Sequence, residues 1–497
     1  MSEPGNRHRR RWTGRAGRLT RLALLGLALV LLAATLWPQP PVNRLAVNGQ
    51  PFFLAGVNYP WKTGQDFGNG GWGHSGVSDP TTYAEVDTDF ANMAAMGVRV
   101  VKWRVFQDGR YGIRFDGQGN PVGLDDYVFK DVDAALTIAR KHNIYLVFTL
   151  FDSGLWATNC ISQGVQMGGH ADLLTDPIKR QELMNRIVIP FIQHVTRNGR
   201  IVGYELIAEP DWGVHELNPD NDGRIKLSLD QVRTFVRSLV GAVRSQSNAL
   251  LTVEANRSRD LVDWRGLGLD YYSFSWYDWL EPYDPLNTPA SHFGLNKPIV
   301  IGEFPAQSTL HPLDNVLNIA WQQGYAGAFV WSYAGIDKYG SVATERTGWM
   351  AWVQQHWPTV GLFAAQPVGL PALIPQPFAV NKVKLYSVDA GLFVETNLYL
   401  RDHQDAVAQL YATPIGQTQP IAQVKDQVVP GATGQATIYV TLTNLVDGRP
   451  YKLSLGLFDS QGHLVKWFDQ LANVELSNGK VQTPKLSDLA LENACHG

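Results

Sequence analysis

Ile201-Val-Gly-Tyr-Glu-Leu-Ile-Ala-Glu-Pro-Asp-Trp212 is an apolar run that ends in a carboxylate followed by proline. Ile201, Val202, Tyr204, Leu206 and Ile207 give it the β-branched, aromatic and leucine bulk of a buried strand. Pro210 has no amide hydrogen for a ladder, so the strand stops there. Glu209 is thereby held at the carboxyl end of a buried strand, the place from which α/β barrels present reactive groups. A second stretch, Pro298-Ile-Val-Ile-Gly-Glu-Phe-Pro305, has the same design and carries Glu303 near its end.

Strands and helices alternate on both sides of these runs. A hairpin over 45–55, turning on Asn48-Gly49, leads into a first strand that ends in Asn58, Tyr59 and Trp61. Asp79-Pro80 starts a helix whose Tyr83, Val86, Phe90 and Met93 have helical spacing. Residues 98–105, 144–150, 250–254, 269–276, 299–303 and 326–331 read as strands two, three, five, six, seven and eight. Helices are expected over 125–141, 177–197, 229–246, 312–323 and 345–356. Eight strand–helix units indicate a (β/α)8 TIM barrel over 41–360. An open doubly wound sheet is the other fold such alternation allows, but no Gly-x-Gly-x-x-Gly follows the first strand.

Pro367, Pro371, Pro375 and Pro377 then mark a linker over 361–380. Short strands separated by turns follow over 381–478 and read as a small all-β sandwich, which either binds carbohydrate or braces the barrel. Residues 479–497 read as a tail. At the other end, seven arginines precede an uncharged apolar segment at 22–37. This order, within 1–40, fits a signal-anchor, with a cleaved signal peptide as the alternative. Either places the remaining chain outside the cytoplasm, membrane-anchored or secreted.

At 497 residues and 45% hydrophobic content the chain can bury a full core. Beyond residue 40 it holds 35 basic and 44 acidic residues, and this acidic balance argues against a nucleic-acid partner. Cys160 and Cys495 lie in a loop and in the tail, and spacing alone does not pair them. The stretch 218–223 resembles the start of an EF-hand loop, but its twelfth position is Leu229, so a polar turn is the better reading and no metal or cofactor is expected. Sixteen tryptophans supply flat rings for either a core or sugar faces.

Two glutamates at the ends of barrel strands suggest glycoside cleavage by a carboxylate pair. Arg104 ends strand two, where a cation would favour the ionised form of a nearby carboxyl, while burial would raise a carboxyl. Trp61, Trp212, Trp276 and Trp331 are candidate sugar platforms, with Asn58 and Asp152 as further substrate contacts. The plainer alternatives are buried ion pairs for the charged residues and core packing for the rings. Glu254 on strand five fits a substrate contact or a barrel ion pair equally well.

Residues 45–357 resemble the retaining glycoside hydrolases of the large barrel clan typified by cellulase and β-mannanase family 5. The resemblance implies Glu209, in Glu-Pro, as acid/base and Glu303, in Gly-Glu-Phe, as nucleophile. It implies that Arg104 positions the nucleophile, that Trp331 floors the sugar site, and that Tyr277 stands near the family's strand-six His/Tyr pair. Three positions depart from the pattern: Ala208 replaces the asparagine before the acid/base, Phe151-Asp152 stands where a histidine is usual, and Ser275 occupies the strand-six histidine position. The reading that results is an endo-acting β-glycosidase on a glucan or mannan. A non-catalytic polysaccharide-binding barrel and a transglycosylase are the alternatives.

Overall fold

The computed structural model describes residues 45–482, apart from 48, 63–65, 163–164, 220–224, 336, 363, 389–390, 403–404, 416 and 418. The expected signal-anchor at 1–40 and most of the tail lie outside the described residues, as does part of the EF-hand-like turn. Among the described residues no helix is long and apolar enough to cross a membrane.

Eight parallel strands close into a barrel: β1 (Leu54–Asn58), β2 (Val100–Gln107), β3 (Tyr145–Asp152), β4 (Ile201–Ala208), β5 (Leu250–Ala255), β6 (Tyr272–Ser275), β7 (Ile299–Pro305) and β8 (Gly327–Trp331). Each pairs with its neighbour in sequence, and β8 closes the ring on β1. Six of the connections carry the expected α-helices: α1 (Pro80–Ala95), α2 (Val128–Lys141), α3 over 177–196 with a π turn inside it, α4 (Leu229–Arg244), α5 (Leu313–Gln322) and α6 (Arg346–Gln355). Their starts follow local chemistry. The Asp79 carboxylate accepts the amides of Thr81 and Thr82, with Pro80 at the first helical position, and Ser228 with Gln231 forms a capping box. The connections after β5 and β6 differ from the expected strand–helix units and make only 3₁₀ turns, at Ser258–Trp264, Asp278–Leu280 and Ala290–Phe293. Gly266, Gly268, Pro282, Pro285 and Pro289 break those stretches.

The barrel interior is layered. At its amino-terminal end Leu54, Val100, Val147, Val202, Val300 and Phe329 form an apolar plug with Leu45 and Phe52 of the preceding hairpin. Two residues further along β2 and β3, and three along β4, the interior turns polar, with Lys102, Thr149 and Glu205, all buried. Two further on, Arg104 reaches the mouth. The side-chain period of two thus carries β2 from Val100 through Lys102 to Arg104 along a single inward line.

Beyond the barrel, two antiparallel sheets enclose a second core. One joins β9 (Phe378–Val388), β10 (Gly391–Leu400) and β13 (Gln435–Leu442). The other joins β12 (Ala422–Val428), β11 (Ala406–Pro414), β14 (Pro450–Phe458), β15 (Leu464–Ser477) and β16 (Lys480–Gln482). Leu392, Val394, Leu398, Leu410, Ile438, Leu453 and Leu455 fill the space between them.

This unit is fastened to the barrel through α1. The Lys466 ammonium lies 2.7 and 2.9 Å from the two oxygens of buried Glu85. Asn92 exchanges two hydrogen bonds with the backbone of Ile374, at 2.9 and 2.7 Å, and the Arg401 guanidinium donates to Thr88 Oγ1 at 3.0 Å. Gln376 donates to Asp89, whose carboxylate also accepts from Tyr59 Oη at 2.6 Å and from Lys62 Nζ at 2.9 Å. These contacts come from the linker, from the turn after β10 and from β15. Lys466→Ala strands the Glu85 carboxylate in the interface, and removing one partner of a buried pair costs about 3 kcal/mol. A drop in unfolding free energy of that order by denaturant titration is the expected result.

Candidate active site

The site lies at the carboxyl ends of β2, β4, β6, β7 and β8. Glu209 follows β4 with φ 45° and ψ 51°, left-handed backbone that a glutamate rarely adopts. Pro210 disfavours the right-handed helical region for the residue before it. The conformation is held by the Glu209 amide, which donates to the Glu254 carbonyl at 2.8 Å. Such strained backbone persists where surroundings over-determine it, as functional sites do. The half-buried Glu209 side chain accepts the indole N–H of Trp212 at 2.9 Å on Oε2. The loop that carries both residues is pinned by buried Asp211, which accepts the Asn256 amide at 2.7 Å and the Trp264 indole at 3.3 Å. Burial pushes the Asp211 carboxyl well above its ordinary range.

Glu303, on β7, is 3% exposed. Its Oε1 accepts Arg104 Nη2 at 3.3 Å, with Lys102 Nζ at 3.8 Å, and its Oε2 accepts the Tyr277 hydroxyl at 2.9 Å. Burial raises the carboxyl above the usual range, while Lys102 and Arg104 pull it down and the charge of Glu209 adds to the rise. The expectation that Arg104 alone would set this group is thus incomplete, since desolvation outweighs the cations. Arg104 is held in its charged form by Glu303 and Asp152, whose Oδ2 accepts Nη1 at 3.3 Å. Its guanidinium lies over the rings of Trp331 at 5.3 Å and Trp61 at 6.0 Å. The Trp331 indole donates to Asp337 at 2.7 Å, and the Trp331–Ser332 peptide is cis.

This arrangement provides a carboxylate with donors fixed on both oxygens, opposite a second carboxyl held by a single indole. Such a pair can attack a carbon and deliver a proton to its leaving group.

No protein-family profile matches the chain. Its sequence is 23% identical over 357 residues to a mannan endo-1,4-β-mannosidase of Mytilus edulis, covering 63% of this chain and 94% of that protein. It is 22% identical over 345 residues to a mannan endo-1,4-β-mannosidase of Cryptopygus antarcticus, covering 61% and 86%. The fold matches the crystal structure of an endo-1,4-β-mannanase from Eisenia fetida with a TM-score of 0.54 at 24% identity, covering 63% of this chain and 94% of that one. The chain shares the barrel fold of these β-mannanases and is similar to them in sequence over about three fifths of its length.

In this barrel the structure brings Glu209, Glu303, Arg104, Tyr277, Asp152, Trp61, Trp212 and Trp331 to one mouth. Two candidates need correction. Trp276 is fully buried, and its ring packs 5.9 Å from that of His311, so it offers no face to a sugar. Asn58 is buried too, and its amide donates to the carbonyls of Gly302 at 3.1 Å and Val330 at 3.3 Å, tying β1 to β7 and β8. Ala208 is buried at the end of β4 and supplies no amide to the cleft. Lys102 and Glu205 were absent from the candidates, and Glu254 takes the ion-pair role rather than a substrate contact. The signal available was a charge inside an otherwise apolar strand, two positions before Arg104.

Tyr277 is the most accessible test of this geometry. Tyr277→Phe removes one donor to the Glu303 carboxylate, and a hydrogen bond to a charged group is worth about 2 kcal/mol. A fall in kcat/KM of roughly ten- to hundredfold is expected, measured on the substrate proposed below.

Proposed function

We propose that the enzyme hydrolyses β-1,4-linked mannan within the chain, with Glu303 as nucleophile and Glu209 as acid/base. The observation that carries this reading is the unequal provision for the two carboxyls. Glu303 has Arg104, Tyr277 and Lys102 around it, as a group that must attack as an anion requires. Glu209 has only the Trp212 indole and sits at the half-exposed lip, as a group that must exchange a proton with a leaving oxygen and then with water requires. Attack by Glu303 on the anomeric carbon forms a glycosyl ester while Glu209 gives its proton to the departing oxygen. Glu209 then takes a proton from water, which opens the ester and restores the configuration. Trp331, Trp61 and Trp212 stack against sugar rings around that centre. The mannan preference draws on the relatives named above.

The working place of the enzyme is outside the cytoplasm, held by the amino-terminal segment. Cys160 is disulfide-bonded, and such bonds persist in oxidising compartments. The chain's other cysteine, Cys495, lies outside the described residues.

The test incubates the protein from about residue 41 onward with mannans, glucans and xylans and follows reducing ends, product length and anomeric configuration. Release of β-configured manno-oligosaccharides of mixed length is expected. Saturable polymer binding without turnover would instead establish a binding protein, for which the missing amide at Ala208 is the favouring feature. Products longer than the substrate would establish transfer.

A further inference from the structure

Beneath the cleft floor lies a charged layer that is almost wholly buried. Lys102 Nζ sits 2.6 Å from Glu254 Oε2, 3.2 Å from Glu205 Oε2 and 3.8 Å from Glu303 Oε1. Lys102, Glu205, Glu254 and Glu303 are each 3% exposed or less. Three carboxyls thus surround one ammonium where water cannot help, and a layer with two net extra negative charges is costly.

Donors identify the carboxyl that keeps a proton. Glu205 has both oxygens served, Oε1 by Thr149 Oγ1 at 2.9 Å and Oε2 by Lys102. Glu303 has both served, by Arg104 and by Tyr277. Glu254 has Oε2 on Lys102, but its Oε1 meets only Ser275 Oγ at 3.5 Å and presses on Gly302, where an added Cβ would come within 2.0 Å of that oxygen. A carboxylate oxygen so poorly served is the natural place for a hydrogen.

We propose that Lys102, paired with an ionised Glu205 and a Glu254 that retains its proton, is a positioning residue that keeps Glu303 ionised and aimed at the cleft. Lys102 itself touches no substrate; it acts through Glu303, and the proposal rests on the nucleophile role given to Glu303 above. The charged and titratable groups facing Glu303 are Lys102 and Arg104 from β2, Glu205 and Glu209 around β4, Glu254 from β5 and Tyr277 after β6, with Asp152 of β3 on the far side of Arg104. Among these only Lys102 and Arg104 are cations. A neutral Glu254 leaves Lys102 balanced by Glu205 and still able to draw Glu303 toward its charged form. The purpose of the Gly302 backbone is then to admit the Glu254 carboxyl beside β7.

Lys102→Met removes one of the two cations. Glu303 should then bind its proton at higher pH, so the acid limb of kcat/KM should move upward by on the order of one pH unit or more. The kcat lost at neutral pH should return as pH rises, with KM on the polymer changed less than twofold. A general packing defect would lower activity at every pH without moving the limb. The second measurement needs no turnover. An infrared difference spectrum of wild type against Glu254→Gln at neutral pH should show the carbonyl stretch of a protonated carboxyl in the wild type. An unmoved acid limb in a folded Lys102→Met variant, or a carboxylate band at Glu254, overturns the proposal. A wild type that cleaves no glycan sinks the proposed function instead, and the infrared result still decides where the proton sits.

Discussion

Glu303→Gln is expected to lower kcat on the polymer by on the order of 10^4-fold or more, because it removes the carboxylate proposed to form the glycosyl ester. The same substitution should leave the fold intact and somewhat more stable at neutral pH. The sign follows from the raised carboxyl. Burial lifts the folded pKa of Glu303 above its unfolded value. The folded state therefore holds the proton more tightly, and that stabilisation is present at low pH and lost as pH rises through the folded pKa. Wild type loses it once pH exceeds that folded pKa, whereas glutamine mimics the protonated side chain at every pH. Melting of Glu303→Gln at or above the wild-type temperature, beside near-complete loss of turnover, would mark a site where stability is given up for chemistry. Residual turnover within tenfold of wild type would remove Glu303 from the nucleophile role. The raised pKa also places the acid-side loss of wild-type kcat/KM above the ordinary carboxylate range.

The barrel was legible because its strands are short apolar runs punctuated by proline and glycine, and the helices between them carry their own caps. The two glutamates were legible for the same reason, since each ends such a run. Inward and outward positions were not. Parallel barrel strands are buried on both faces, so alternation carries little information, and Asn58 and Trp276 were given to the cleft although both face packed structure. The polar layer of Lys102, Glu205 and Glu254 was obscured in a related way. Each is a single charge in an apolar strand, and only the closed ring brings β2, β4 and β5 close enough to pair them. Two strands of the second unit, Ala422–Val428 and Lys480–Gln482, also escaped notice, the first because its outward positions are polar and charged and the second because it is three residues long. The clasp between the units was out of reach, since Lys466 and Glu85 are 381 positions apart.

Glu209→Ala should split the reaction by leaving group. On mannan the departing sugar alkoxide needs a proton, and losing general acid catalysis should cost on the order of 10^2- to 10^4-fold in kcat/KM. An aryl glycoside with an acidic phenol leaves without that proton, so its first step should slow far less. Water then lacks its base, and the glycosyl ester on Glu303 should accumulate as a burst of phenol followed by slow turnover. Azide needs no base and should restore turnover, releasing a glycosyl azide of β configuration. The surroundings make alanine a clean deletion. Glu209 is fixed by its own backbone, through the hydrogen bond from its amide to the Glu254 carbonyl and the Pro210 that follows, and its side chain accepts the Trp212 indole. Removing the carboxyl therefore leaves β4 and the Asp211 anchor where they are. An equal loss on aryl and polymeric substrates, with no burst and no response to azide, would mean that Glu209 only binds, and the proton would have to come from another group at the lip.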